Sequence, residues 1–210
     1  MTVILIVCQY TDGIAEVKSR RSEHAEDTRA AIVGAARSLF GERGYARSSL
    51  DEVAERARVT KGAVYHHFRG KEDLLRAVYE EVVRELGDRG REASEASGDV
   101  WDRVRSGSQA FLDAWLEPEP RRILQEAQAV LGREYVRQVD TSHHVALTDA
   151  LRGAMDERVI ARLPVEPLAH ILHAAFQEAA DLIALSPDPA AARAEVGATV
   201  DGLLESLRLT

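Results

Sequence analysis

Between Ser49 and Phe68 the sequence places two capped helical periods only a turn apart, and this spacing constrains the fold more than any other feature. Ser49-Leu-Asp-Glu52 has the form of a capping box, in which the serine hydroxyl takes the amide three residues on and Glu52 reaches back. Leu50, Val53, Ala54 and Ala57 then supply one buried face. Arg58-Val59 turns the chain, Thr60 caps a second short helix, and Val64 and Phe68, four residues apart, point inward. Upstream, Asp27 is placed to cap a longer helix with apolar positions Ile32, Ala35, Ala36, Leu39 and Phe40, closed by Gly41-Glu-Arg-Gly44. A helix, a short helix, a tight turn and another short helix predict a three-helix unit containing a helix-turn-helix.

The second short helix is distinctive in what it exposes. At about 100° per residue, a face centred on Val64 and Phe68 turns Gly62, Ala63 and His66 outward, with Tyr65 and His67 on the flanks. A helix built only to face water carries long charged residues there. One that enters a major groove needs small residues for close approach and a few polar tips. Gly62, poorer than alanine in a helix by about 1 kcal/mol, is then accounted for as clearance. Tyr65 and His67 are placed to meet phosphates, and Lys71, opening the next helix, adds a cation where backbone amides also attract anions. The alternative is an ordinary surface turn, because patterns of this length also arise by chance.

A net charge of -8 argues against nucleic acid only if it is evenly spread. From Lys18 to Arg76 there are 13 Lys+Arg against 9 Asp+Glu, a balance of +4, which leaves -12 for the rest. Two parts of opposite charge imply two jobs. The single cysteine, Cys8, excludes an internal disulfide framework and a thiolate zinc cluster, and fits a reducing cytoplasm. The apolar run Val3 to Cys8 is too short to span a bilayer and lacks the flanks of a signal peptide. Residues 1–25 are expected as a flexible N-terminal extension, within which Lys18, Arg20 and Arg21 form either a minor-groove arm or a solvated tail.

Downstream the pattern is helical throughout. Lys71 to about Ser97 carries Leu74, Leu75, Val78, Val82 and Leu86, and Asp99 caps a helix with Trp101, Val104, Ser108, Phe111, Leu112 and Trp115 on one face. Pro118 and Pro120 stop it. Arg121 to Leu131 is short and ends at Gly132, before a run through Tyr135, Val139, Leu147, Leu151 and Met155. The stretch from Pro167 to Leu185 is apolar on most sides, as in a helix buried against both its own core and something else. Pro187-Asp188-Pro189 turns and caps a last helix with Val196, Val200, Leu203, Leu204 and Leu207, where Ala190, Ala194, Gly197 and Ala198 permit close approach. Two such helices facing their symmetry copies make a four-helix dimer interface; an intramolecular core is the alternative.

The run from Thr28 to Leu75, with LFGERGYARSSLDEVAERARVTKGAVYHHFRGKEDLL at its heart, closely resembles the DNA-binding domain of the TetR family of transcriptional regulators. The landmarks are Leu39, Phe40, Gly44 and Tyr45, the Ser48-Ser49 pair where threonines are frequent, and VTKGAVYHHFRGKEDLL. Gly70 departs, standing where serine or asparagine is common. The resemblance covers about a quarter of the chain. It implies an all-α protein with a three-helix DNA-binding domain over 26–75 and a helical effector-binding and dimerisation domain over 76–210. It further implies that Thr60, Lys61, Gly62, Ala63 and His66 face the bases, and that Arg47, Ser48, Ser49, Tyr65, His67 and Lys71 hold phosphates.

No phosphate-binding glycine loop, nucleophile elbow or motif-placed carboxylate pair is present, so no enzymatic activity is expected. His143-His144 and the stripe His170, His173, Gln177 and Asp181 lack a completing ligand set, and neither a metal nor a cofactor is expected. The expected function is a repressor that binds a palindromic operator as a homodimer through its last two helices and is released by a small-molecule effector. A binding or adaptor protein without specific DNA recognition is the alternative. The effector pocket is expected among Phe111, Trp115, Gln128, Tyr135, His144, His173 and Gln177. With no basic residue on those faces, a largely apolar, uncharged effector is expected.

Overall fold

The computed structural model describes residues 3–96, 98–139 and 141–209, with side chains described from Glu23 on apart from those of 141 and 142. Among the described residues the chain forms ten α-helices and a 3-10 turn, and its sole strand-like pairing is an isolated bridge between Ile160 and Arg208. The fold is all-α, as the periodicity predicts.

Helix α1 spans Val3–Arg43, so Asp27 lies inside it and is not a cap. The reason is legible afterwards: from Ile14 to Val33 there is neither glycine nor proline, and alanine, glutamate and arginine recur, so nothing ends the helix there. The side chains of residues 1–22, with the expected arm of Lys18, Arg20 and Arg21, lie outside the described residues.

The two short helices form as their caps dictate. Both halves of the Ser49–Glu52 capping box are present at the start of α2, Leu50–Arg56, and the Thr60 hydroxyl accepts the Ala63 amide at the start of α3, Lys61–His67. Between them Arg58 adopts φ of 57°, reversing the chain in a few residues. Ile32, Ala36, Leu39, Phe40, Val53, Val64 and Phe68 close over Leu74, Leu75 and Val78 in one core. The latter three belong to α4, Lys71–Glu95, which runs on as the spine of the second half.

Asp99 accepts the amides of Trp101 and Asp102 to open α5, Val100–Asp113. A 3-10 turn over Ala114–Leu116 leads into α6, Pro118–Leu131, where Pro118 sits in the first helical turn. Proline there starts a helix as readily as it stops the preceding one, so α6 begins ahead of the expected Arg121. Gly132, at φ of 83°, separates α6 from α7, Arg133–Val139. The run expected beyond Gly132 is divided between α7 and α8, Thr141–Asp156. Two long helices close the fold, α9 over Val165–Leu185 and α10 over Pro189–Glu205, with Asp188 capping the latter.

Small residues set two of the crossings. A Cβ on Gly107 of α5 would lie 3.7 Å from the Gly90 carbonyl of α4, so the two backbones meet there. Gly197 of α10 was expected at a subunit contact, but it is buried within the chain. Its carbonyl accepts Gln109 Nε2 of α5 at 3.1 Å, and a Cβ would sit 3.0 Å from Gln109 Oε1 and against the Arg193 guanidinium. Gly197→Leu is therefore expected to lower unfolding stability by about 1–3 kcal/mol, read by chemical denaturation, because it overpacks the α5–α10 contact.

Candidate nucleic-acid interface and the cavity behind it

Helix α3 carries its apolar residues inward and leaves a low outer surface. Val64 is fully buried, while Lys61, Gly62, Tyr65 and His66 are exposed and Ala63 and His67 are half-buried. A Cβ on Gly62 would meet nothing closer than the Thr60 hydroxyl at 3.8 Å, so no contact within the protein requires glycine there. Thr60 is fixed by its capping bond, and His66 and His67 stand edge to face at 5.3 Å. Partial burial, then the nearby His66 and Arg29, push the His67 pKa below its ordinary value, favouring the neutral ring at physiological pH.

Several of these polar groups have partners. Lys61 Nζ lies 2.8 Å from an Asp51 carboxylate oxygen on α2, and this bond raises its pKa. Lys71 Nζ sits 4.2 Å from the Tyr45 ring centroid and donates to the Ala46 carbonyl at 3.4 Å; partial burial lowers its pKa. Arg47 is exposed, and its Nε donates to the Arg43 carbonyl. Ser49 is held in its capping box and remains exposed.

Ser48 differs from the expectation. Its hydroxyl is buried and donates toward the Gly44 carbonyl at 2.9 Å and the Leu39 carbonyl at 3.3 Å. A side chain so committed fixes the end of α1 and the start of α2 from within, and is not placed to hold a phosphate.

Behind this surface α6 grips the α1–α2 turn, a connection that the sequence pattern did not reveal. Arg122 Nη1 donates to the carbonyls of Gly41 and Glu42, each at 2.6 Å, satisfying orphan acceptors at the end of α1. The Glu126 carboxylate accepts the Tyr45 amide at 2.5 Å and abuts Gly44. Gly44 is required twice over: its φ of 87° favours glycine, and a Cβ would fall 2.6 Å from Glu126 Oε1. Arg37 of α1 meets Glu81 and Glu85 of α4 and Glu119 of α6. Its partial burial opposes the charge, but the bonds to Glu119 and Glu85 outweigh that and raise its pKa. Arg89 continues the chain of pairs from Glu85 to Glu117.

Farther along α4 lies a cavity of about 450 Å³, bordered by α4, α5, α8 and α9 and open on one side to solvent. This is within the usual range for a small-molecule site. Val83, Leu86, Val104, Phe111, Leu147 and Phe176 give it apolar walls, and Ser108, His143, His173 and Gln177 add polar groups. Gly87 makes room on α4: a Cβ there would stand 2.6 Å from His143 Nε2.

Of the expected effector-contacting residues, the structure brings Phe111, His173 and Gln177 to this cavity and places the other four elsewhere. Trp115 is buried against Phe111, its indole N–H without an acceptor among the described residues. Gln128, on α6, is not among the residues that line the cavity. Tyr135 donates its hydroxyl to Glu80 at 2.6 Å and lies beneath Arg76, its pKa pushed up by burial and by Glu80. His144 stacks on His170 at 4.2 Å, whereas its neighbour His143 points to the cavity. A one-residue step along a helix turns a side chain by about 100°, and the sequence alone left the phase of α8 open. The expectation of no basic residue is also corrected, since Arg84, Arg91 and Arg103 line the cavity. Among the described residues no cluster of three or more His, Cys, Asp or Glu is arranged to hold a metal, and no helix is long and apolar enough to cross a membrane.

Known proteins share this arrangement. Residues 32–78 match the family described as bacterial regulatory proteins, tetR family, and residues 101–207 match the tetracyclin repressor-like C-terminal domain. The chain is 28% identical over 137 residues to the transposon Tn10 TetC protein of Escherichia coli, covering 65% of this chain and 69% of that protein. It is 42% identical over 81 residues to the HTH-type transcriptional regulator TtgR of Pseudomonas putida, a stretch that spans 39% of this chain and 38% of TtgR. Among solved structures, a TetR-family transcriptional regulator from Pectobacterium atrosepticum superposes with a TM-score of 0.82 at 34% identity, over 90% of this chain and 97% of that one. The helix-turn-helix, the matches to both halves and this full-length likeness agree: the chain belongs to the TetR family of transcriptional regulators, which are DNA-binding proteins and not enzymes.

Proposed function

We propose that the protein is a ligand-responsive repressor, acting in the cytoplasm, that binds a palindromic operator as a homodimer and releases it when an effector fills the α4–α5–α8–α9 cavity. Residues 26–75 read DNA, and residues 76–210 hold the effector and the partner subunit. The observation that carries the reading is the outer face of α3, where an open Gly62 is flanked by Lys61, Tyr65 and His66 on a helix whose inner face is fully committed to the core. Thr60, Lys61, Gly62, Ala63 and His66 face the bases. Arg47, Ser49, Tyr65, His67 and Lys71 approach the backbone, with Ser48 positioning the turn from within.

A dimer is supported by the outer faces of α9 and α10. Ile171, Leu182, Leu185 and Leu203 are each more than half exposed, an apolar stripe that a chain with charged residues elsewhere on its surface does not need for solubility. One recognition helix reads few base pairs, and a two-fold pair reads a repeated half-site.

The experiment is alanine substitution on DNA selected from a random pool, read against unrelated DNA at several salt concentrations. Lys61→Ala and His66→Ala are each expected to weaken the selected sequence about tenfold or more with little change on unrelated DNA. Lys71→Ala is expected to weaken both alike and to reduce the salt slope by about one. Equal losses on both DNAs for all three substitutions contradict the groove assignment.

A further inference from the structure

We infer that Asp51 is a specificity-determining residue of the DNA contact, its carboxylate and the Lys61 ammonium forming one acceptor–donor unit that reads a single G·C base pair. The inference rests on the groove assignment of α3 and adds to it a residue on α2 and the base pair which that residue selects.

The turn at Arg58 brings Lys61, the first residue of α3, within reach of Asp51, the second of α2. Lys61 Nζ stands 2.8 Å from Asp51 Oδ1 and 3.0 Å from Oδ2, and both side chains are more than half exposed. Asp51 has no part in capping α2, because Ser49 and Glu52 complete the capping box between them. Glu52 also pairs with Arg43, and Arg56 with Glu42, so these two charged residues of α2 turn back to α1. Asp51 reaches forward to the recognition helix instead. Stability does not account for the contact, since an exposed ion pair contributes little. On a surface that meets phosphates, a carboxylate also weakens binding to every DNA alike.

What a carboxylate supplies in a major groove is an acceptor, which an exocyclic amino group of a base can meet. Lysine pairs with guanine O6 and N7, and aspartate with the cytosine N4 amino group. Guanine O6 and cytosine N4 are themselves hydrogen-bonded in the pair, so they lie about 2.9 Å apart, the spacing already held between Lys61 and Asp51. An ammonium has more N–H donors, and a carboxylate more lone pairs, than their mutual contact uses, so each keeps capacity for a base. An A·T pair also sets an amino group beside an acceptor, but it splits its two acceptors to either side of that group. Guanine offers O6 and N7 together to the ammonium. Gly62, next to Lys61 and with open space where a side chain would stand, leaves room for the approach.

Selection of DNA from a random pool by the full-length wild type and by Asp51→Ala, Asp51→Asn and Lys61→Ala tests this. The wild type is expected to enrich a G·C pair in each half-site with a preference of at least about fivefold, and Asp51→Ala and Lys61→Ala are each expected to reduce it below about twofold at that same position. Asp51→Ala is also expected to bind unrelated DNA more tightly, because a charge that repels phosphate has gone and Lys61 is released. Asp51→Asn is expected to move the preference there to adenine, which an amide pairs through N6 and N7. An Asp51→Ala protein of unchanged helix content that enriches the wild-type sequence at every position overturns the inference and leaves the groove assignment standing. Relaxation at different positions by Asp51→Ala and Lys61→Ala overturns the shared unit. A wild type that enriches no sequence overturns the groove assignment as well.

Discussion

The double substitution Leu182→Arg and Leu203→Arg is expected to yield a stably folded monomer that no longer binds the operator. Both side chains are more than half exposed on the outer faces of α9 and α10, while Leu172, Ile183, Val200 and Leu204 on the inner faces hold the fold together. Burial of each leucine in an interface contributes about 1.5–3 kcal/mol, and an unpaired guanidinium buried in its place costs several more. In the proposed two-fold dimer, two changes per subunit act four times over. A lost dimer also loses the gain from engaging two half-sites at once, roughly a hundredfold or more. Sedimentation should report the mass of one chain, circular dichroism an unchanged helix content, and gel shift no specific complex. A double variant that sediments as the wild type does would place the subunit contact elsewhere. Gly197 is unsuited to this test, because it packs against Gln109 inside the chain.

The second large effect is expected at α6. Glu126→Ala, alone or with Arg122→Ala, should leave the effector able to bind the cavity but unable to dislodge DNA. Glu126 holds the Tyr45 amide and Arg122 holds the Gly41 and Glu42 carbonyls, so α6 fastens the end of α1 from which the α2–α3 pair hangs. A hydrogen bond to a charged group contributes about 1.5–3 kcal/mol, similar to the 1–3 kcal/mol by which two sites in one protein are typically coupled. Losing these contacts can therefore erase most of the coupling without touching either site. The check is effector affinity by fluorescence beside effector-driven release by gel shift. The account requires the first to change by less than about threefold and the second to disappear; release that persists at wild-type effector concentrations would assign the linkage to another contact, with Arg37 and its three glutamates next in line.

The sequence carried the DNA-binding half almost completely. Caps and periodicity are local, so Ser49, Thr60, Val64 and Phe68 announce α2 and α3, and each does what its position predicts. Asp27 misled because a good cap residue inside an uninterrupted helix-forming stretch has nothing to cap. Ser48 misled because adjacent residues at a turn point opposite ways: Ser49 caps outward while Ser48 turns in to Leu39 and Gly44. The cavity was legible only in part. Phe111, His173 and Gln177 lie on faces fixed by long periodic helices, whereas the pattern beyond Gly132 left open the phase that decides between His143 and His144. The arginines lining the cavity were missed because on a single helix Arg84 looks like any solvated residue. Likewise, nothing local marks Arg122 and Glu126, whose partners lie about eighty residues away.

The most direct measurement of the central claim is selection of DNA from a random pool by the intact protein, followed by sequencing of what is retained. The account predicts an inverted repeat whose half-sites lie about one helical turn apart, or a multiple of it, as two α3 helices related by a two-fold axis demand. Retention of a single unrepeated motif would contradict the dimeric reading, and retention without any enriched sequence would contradict specific recognition by α3.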